Sequence, residues 1–462
     1  MIYVGALSWL LRLDTSLIEQ LISEQYKSKP KLIPLNLQAI RLGTDYCLEH
    51  FDRLPFYVKQ DSNGSSDRIL ISGNTALALG SLFAGATVCS WYPITPSTSV
   101  VEAFSSYCES HRICKKTGAK NFSIIQAEDE ISAMGMTLGA SWMGARAFTA
   151  TSGPGISLMS EFLGFGYYAE IPAVIFNIQR CGPSTGMPTR NQQADLTLCA
   201  YASHGDTKHL MVFPSDPGEC FHFAKKSFDW AERFQTPVFV MSDLEIGMNE
   251  SVTDALSIDA SEGVDRGKVL SHDQLEKMNE PYFRYLDPDQ DGIPYRTLPG
   301  THPKGAYFTR GSGHDKFGRY TENSDLYQEN MKRIQAKFEQ AAKELPEPVI
   351  QNASQQSDIG IISYGSGWEA LKESLYMLER EGVSLNHLRI RSFPFSQDIL
   401  SFCQQNKLTL VLDLNRDAQM TTLLRTEFPD IGPGLTSLCM WDGLPLKAET
   451  LSDNIKHLIQ RS

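Results

Sequence analysis

Clustered cysteines are missing from this sequence: there are nine, the closest pair is Cys108 and Cys114, and no Cys-x-x-Cys occurs. That denies the chain an iron–sulfur ligand run of its own, which needs close spacing. An odd, scattered set reads as the reduced thiols of a cytosolic protein. Basic residues are also in deficit, with 42 Lys and Arg against 54 Asp and Glu and a net charge of −12. Such a surface argues against a nucleic-acid binder and offers no polybasic patch to a membrane. The ten histidines show no spacing such as His-Glu-x-x-His, so no metal ligand is assigned. Asp287-Pro288-Asp289-Gln290-Asp291-Gly292 imitates the start of a calcium loop, but position twelve is Leu298 instead of glutamate. Long hydrophobic runs are lacking too. Ile69 to Val101 carries no Asp, Glu, Lys or Arg, yet Gly73, Asn74, Gly80, Gly85, Pro93 and Pro96 interrupt it. A membrane-spanning helix needs about 20 predominantly apolar residues. The stretch from Met1 to Leu7 has no basic leader, and Arg12 and Asp14 follow it, so a cytoplasmic protein is expected.

What is present is enough for large cores: 42% of residues are hydrophobic and 10% aromatic, over a length that predicts two to four domains. Residues 1–66 contain a helical pattern at Leu17, Ile18, Leu21 and Ile22, a short apolar piece at Leu32–Leu35, and a polar link from Gln60 to Ser66. Residues 67–250 alternate β-rich runs (122–125, 147–150, 173–177, 237–241) with small-residue helices near 129–142 and 156–168. This alternation predicts an α/β fold with a parallel sheet covered by helices. Residues 251–350 read as a polar, turn-rich arm that closes in a charged helix near 327–344. Residues 351–462 return to strand–helix alternation, as a second and smaller α/β domain.

Two local features could carry chemistry. In Ile124-Ile125-Gln126-Ala127-Glu128-Asp129-Glu130 a strand delivers acidic residues to a helix start. The bland reading is favourable charge at a helix N-terminus, worth about 0.3–1 kcal/mol each. In Thr151-Ser152-Gly153-Pro154-Gly155 a second strand meets a second helix. That loop could present N–H groups to an anion or simply turn the chain.

Taken together, these features resemble the pyrimidine-binding domain of thiamine diphosphate enzymes. With Tyr92-Pro93-Ile94-Thr95-Pro96-Ser97, Gln179-Arg180-Cys181-Gly182-Pro183-Ser184-Thr185-Gly186, Gly292-Ile293-Pro294-Tyr295-Arg296 and Asn415-Arg416-Asp417-Ala418-Gln419-Met420, nearly the whole chain resembles, in order, the α subunit of 2-oxoacid:ferredoxin oxidoreductases. Arg180–Arg190 looks more like the 2-oxoglutarate branch than the pyruvate branch. The resemblance implies a thiamine-binding domain at 67–250 and a transketolase C-terminal-like domain at 351–462. It makes 1–66 the closing remnant of a γ domain that many relatives carry whole.

The resemblance also implies roles. Glu128 would hydrogen-bond the aminopyrimidine ring nitrogen and promote the imino tautomer that activates the coenzyme. Pro93, Ile94, Thr151, Ser152 and Gly153 would line the cofactor. Arg180 and Thr95 would bind the substrate 1-carboxylate, as a planar guanidinium suits a carboxylate. Ser184, Thr185 and Arg190 are candidates for a second carboxylate. Cys181 stands where the family commonly has glycine. No Gly-Asp-Gly motif for Mg²⁺ and diphosphate occurs here, so those and a [4Fe-4S] cluster are expected in a separate β subunit. Coenzyme A would be co-substrate and ferredoxin the electron acceptor of an α₂β₂ assembly. Pyruvate or branched-chain 2-oxoacids, or a non-catalytic assembly subunit, remain alternatives at this level.

Overall fold

A computed structural model describes residues 1–59, 67–257 and 263–461; the link expected at Gln60–Ser66 lies outside them. The chain divides into two units, Met1–Asp67 and Arg68–Ser462. The first contains helices α1 (Ile2–Leu11), α2 (Thr15–Gln25) and α3 (Leu32–His50). Leu32–Leu35, read from sequence as an isolated apolar piece, is the first turn of α3. Pro34 is tolerated there because the first turn has no intrahelical acceptor for its missing N–H. Asp14 caps α2 by accepting from Ser16 N at 2.9 Å. α1 and α3 touch backbone to backbone: a Cβ on Gly5 would lie 1.9 Å from the Ile40 carbonyl oxygen, and one on Gly43 1.9 Å from that of Ile2.

The second unit begins with β1 (Arg68–Ser72), α4 (Gly73–Phe83), β2 (Val88–Trp91), α5 (Thr98–His111), β3 (Ser123–Gln126) and α6 (Glu130–Trp142). There follow β4 (Ala147–Thr151), α7 (Gly153–Tyr168), β5 (Ala173–Gln179), α8 (Leu196–Ala200), β6 (Leu210–Val212) and α9 (Pro217–Phe234). β7 (Pro237–Asp243), α10 (Leu244–Met248), β8 (Glu250–Asp254), α11 (His272–Lys277) and α12 (Ser324–Glu344) lead into the last third. That part holds β9 (Val349–Gln351), β10 (Ile359–Ser363), α13 (Gly367–Arg380), β11 (Asn386–Arg389) and β12 (Ser392–Phe393). It closes with α14 (Gln397–Gln405), β13 (Leu408–Asp413), α15 (Gln419–Glu427), β14 (Leu435–Cys439) and α16 (Ala448–Arg461).

The large sheet has the order β12-β6-β7-β5-β4-β2-β3, parallel except for β12. A second sheet, β14-β13-β10-β11-β9, is parallel except for β9. This is the α/β architecture expected from strand–helix alternation. Every residue of β5 and β7 is buried, because helices cover both sheet faces. One core, with Phe104, Phe148, Phe176 and Phe228, lies under α4, α5 and α9 and reaches Ile334 and Phe338 of α12. The other runs from Met134, Leu163 and Phe239 into Ile362 and Val411 of the second sheet and Phe402 of α14, so the two sheets share it. Arg389 and Arg391 reinforce that seam by bonding Glu219 of α9 at 2.6–2.9 Å.

The arm is clipped down by buried charge. Glu232 of α9 accepts from Arg146 at 2.9 Å and from Arg296 at 3.0 Å. The family-like Pro294-Tyr295-Arg296 is therefore an anchor and not a site. The false calcium loop is an ion-paired turn, with Lys268 Nζ on Asp289 at 2.7 Å and on Asp291 at 2.8 Å. Asn415 and Gln419 tie the second sheet to the first, donating to the carbonyls of Gln193 at 2.9 Å and Ala194 at 2.7 Å. Among the described residues, no helix is long and apolar enough to cross a membrane.

Candidate active site

Strands β5, β4, β2 and β3 are neighbours and parallel, so their C-terminal ends open on one edge of the sheet, where α/β proteins bind ligands. Each end carries a residue group singled out from sequence. β2 leads to Pro93–Pro96, β3 to Glu128, β4 to Thr151–Gly153, and β5 to Arg180.

Glu128 is exposed, beyond the end of edge strand β3. Its neighbour Asp129 does the helix capping, accepting from Ser132 N at 2.8 Å. Glu130 is buried against the turn at Gly155. Three consecutive acids thus do three things, and only Glu128 is presented outward with no hydrogen-bond partner among the described residues. The helix that follows buries Ala133 and packs Gly135 against Phe162, while Ile131, Met136 and Met143 face out. Among the small residues of α6, Ala133 is buried and Gly135 packs against α7, whereas Gly139 is exposed with open space around it.

Arg180 is the most constrained of the candidate groups. It is buried, donates from Nη1 to the Thr95 carbonyl at 2.5 Å and from Nη2 to the Thr185 carbonyl at 3.0 Å, and leaves Nε without a partner. Burial lowers its pKa and Asp195 opposes this. A guanidinium has five N–H groups in a planar fork, so the remainder can meet a carboxylate. The Thr95 peptide is cis to Pro96. Thr95 and Pro93 are exposed, and Ile94 holds the turn by accepting from Ser97 N at 2.9 Å.

The loop after Arg180 closes on itself through Cys181 N to Arg190 O at 3.0 Å and Met187 N to Cys181 O at 3.0 Å. Ser184 has φ 57° and Gly186 φ 55°; a Cβ on Gly186 would fall 1.8 Å from the Cys181 carbonyl oxygen, so glycine is required. Ser184, Thr185 and Arg190 are exposed. The structure brings Thr185 to Arg180 through its backbone. It puts Arg190 beside Gly443 instead, with no ion pair among the described residues.

Thr151 and Ser152 are fully buried, and Ser152 Oγ has no partner. The space in front of Gly153 is taken by Asp195: a Cβ on Gly153 would lie 2.6 Å from its Oδ1. Sequence reasoning missed Asp195 and its neighbours. Asn177 donates to Asp195 Oδ2 at 3.1 Å, Gln193 donates to Asp243 at 2.6 Å, and Asn191 donates to Glu245 at 3.2 Å. Burial pushes Asp195 up to about 6, with Asn177 and Arg180 opposing. Burial, aided by Asp243, pushes Glu245 up to about 7. A signal was present: Asn177 and Gln179 interrupt an otherwise apolar β-run, and a buried amide needs a polar partner.

The edge fits a thiamine coenzyme in one respect that the chain itself provides, an unpaired carboxylate at Glu128 with a partly unsatisfied arginine two strands further in than β2. Among the described residues no group of three or more His, Cys, Asp or Glu converges as a metal site.

Residues 80–290 match the family model described as pyruvate flavodoxin/ferredoxin oxidoreductase, thiamine diphosphate-binding. The chain is 30% identical to the α subunit of 2-oxoacid:ferredoxin oxidoreductase 2 of Aeropyrum pernix, over 99% of this chain and 71% of that one. It is 33% identical to the 2-oxoglutarate synthase subunit KorA of Methanocaldococcus jannaschii, over 74% of this chain and 87% of that one. The structure of a 2-oxoglutarate:ferredoxin oxidoreductase from Magnetococcus marinus, with 2-oxoglutarate, coenzyme A and succinyl-CoA bound, superposes with a TM-score of 0.88 at 26% identity, covering 99% of this chain and 77% of that one. The chain belongs to the α subunits of the 2-oxoacid:ferredoxin oxidoreductases.

Proposed function

We propose that this chain is the α subunit of an enzyme that converts 2-oxoglutarate and coenzyme A to succinyl-CoA and CO₂ and passes the electrons to ferredoxin. The observation that carries the reading is Arg180, a buried guanidinium held by two backbone carbonyls with its Nε left free, on the same sheet edge as the unpaired Glu128. Arg180 takes the substrate 1-carboxylate, with the Thr95 hydroxyl beside it. Glu128 holds a proton at the aminopyrimidine nitrogen. Thiamine diphosphate, when bound, supplies the nucleophilic carbon and the electron sink for decarboxylation. Pro93, Ile94 and the Thr151–Gly153 turn shape the floor of its site. A β subunit contributes Mg²⁺, the diphosphate contacts and a [4Fe-4S] cluster, in a cytoplasmic α₂β₂ complex. Residues 1–66 correspond to the closing part of a γ domain. Ser184, Thr185 and Arg190 rim the loop that distinguishes a dicarboxylate from pyruvate.

The test is co-expression with the β subunit and assay of viologen reduction that depends on both a 2-oxoacid and coenzyme A. Preference for 2-oxoglutarate supports the reading; preference for pyruvate or a branched-chain 2-oxoacid moves the specificity, and no activity with any 2-oxoacid overturns it. In the same assay Arg180→Lys should raise KM about 10- to 100-fold, since a charge-assisted hydrogen bond is worth about 1.5–3 kcal/mol and lysine cannot reproduce the fork. An unchanged KM would remove Arg180 from the carboxylate site.

A further inference from the structure

Asn74 stands in the first turn of α4 and is wholly buried, yet it does no capping. Ser72 caps that helix instead, accepting from Thr75 N at 3.3 Å. The Asn74 amide reaches out of its helix: Nδ2 donates to the Pro96 carbonyl at 2.9 Å and to Ser99 Oγ at 2.8 Å. Its Oδ1 has no partner. A buried acceptor without a donor costs free energy, so packing alone would be served as well by an apolar residue. What asparagine adds is the two N–H donors. A carbonyl can only accept, so the nitrogen is the atom that faces Pro96. We propose that Asn74 is a positioning residue for the substrate: by fixing the Pro96 carbonyl it holds Thr95 where its hydroxyl meets the 1-carboxylate beside Arg180. The inference rests on Thr95 and Arg180 being the carboxylate-binding pair.

The turn is gripped at two successive carbonyls. Arg180, beyond the end of β5, donates to that of Thr95 at 2.5 Å, and Asn74 donates to the next one. Between them lies the Pro96 ring, which fixes φ at about −65°. With both carbonyls held, the backbone there has no soft torsion left to swing on. Ser99 Oγ is 3.5 Å from the Pro96 carbonyl, too far to take over from the amide. Pro96 is buried, whereas Thr95 is exposed and its hydroxyl makes no hydrogen bond among the described residues. An arriving carboxylate draws on the same guanidinium that holds the Thr95 carbonyl, so Asn74 keeps the turn in place while Arg180 is shared. The amide itself is hemmed in by α10: a Cβ on Gly247 would lie 2.6 Å from Asn74 Oδ1.

A double-mutant cycle in the αβ holoenzyme tests the link, because residues that act through one another fail to add. KM for the 2-oxoacid is measured at saturating coenzyme A in the parent, Asn74→Ala, Thr95→Val and the double variant, alongside KM for coenzyme A and a thermal melt. Asn74→Ala is expected to raise the 2-oxoacid KM about three- to tenfold, the worth of one hydrogen bond, and to leave that for coenzyme A unchanged. In the Thr95→Val background there is no hydroxyl to position, and the same substitution should change the 2-oxoacid KM by less than about twofold. Any loss of melting temperature should be the same in both backgrounds. A purely structural Asn74 would multiply KM by one factor in both backgrounds, or move it in neither, and either result overturns the proposal. Should Asn74→Ala fail to assemble, Gly247→Ala decides, since its Cβ displaces the amide without removing it: it must give the same non-additive pattern, and an additive or absent effect overturns the role of Asn74. If Thr95→Val itself leaves the 2-oxoacid KM unmoved, the carboxylate assignment of Thr95 falls, and the inference falls with it.

Discussion

Glu128→Gln is expected to lose about 10²- to 10⁴-fold in turnover, the range a positioned acid–base group supplies, while the protein folds as before. The two halves of this expectation come from the same fact. Glu128 is exposed and makes no hydrogen bond or ion pair among the described residues, so the fold does not lean on it. A surface substitution of this kind changes stability by about 0.5 kcal/mol or less. Glutamine keeps the size and the hydrogen-bonding oxygen but cannot hold a proton for the pyrimidine nitrogen. Dye reduction by the αβ complex and a thermal melt of the same sample measure both halves. A near-parental rate would end the assignment of Glu128; a lowered melting temperature would mean that the residue has a structural partner. Asp129→Asn offers the contrast, because Asp129 caps α6 and asparagine caps about as well.

Glu170→Ala should give the largest loss of stability, about 3–5 kcal/mol, the cost of stranding buried charge. The Glu170 carboxylate has no exposed side-chain surface; it accepts from Arg333 at 2.5 Å and 3.1 Å and from the equally buried Lys337 at 2.9 Å. Arg284 donates to its carbonyl at 2.7 Å. It therefore joins the end of α7, the arm and α12 at one point. Position 170 follows the α7 C-cap in the left-handed conformation, φ 57°, where glycine is usual. Glutamate stands there because its charge is needed more than backbone ease. Glu170→Gly should consequently be about 1 kcal/mol less damaging than Glu170→Ala. Burial pushes Glu170 up, but Arg333 and Lys337 outweigh it and hold the carboxyl well below the usual range. Burial in turn pushes Lys337 down to about 8, with Glu170 opposing. A lowered carboxyl pKa stabilises fully above the unfolded value of about 4.3 and less as pH falls below it. The acid limb of the stability curve below about pH 4 should flatten in both variants. Chemical denaturation across pH measures this, and an unchanged midpoint in Glu170→Ala would refute the junction.

Much of this was legible in the residues because it depends on short-range pattern. β4, β5 and β7 are apolar runs of strand length bounded by turn signals, and the structure places each within a residue or two of its expected span. α1 and α3 were not legible as helices. α1 is apolar nearly throughout and shows little of the one-sided spacing that marks an amphipathic helix, and Pro34 disguised the first turn of α3. The family-like segments were readable as a set but not by role. Glu128 and Arg180 face the sheet edge, whereas Arg296 and Asn415 hold the arm and the second sheet in place.

The sequence alone determined the α/β class, the delivery of Glu128 by a strand to a helix start, and the absence of clustered cysteine ligands, since each is a matter of neighbours along the chain. Tertiary structure decided that Arg180 meets Thr95, that Asp195 meets Asn177, and that Glu170 meets Lys337. Those pairs are separated by up to 167 positions, and strand order and helix packing alone bring them within bonding distance. Burial is what turns them into interactions of consequence, because only away from water does a lone charge cost enough to demand a partner.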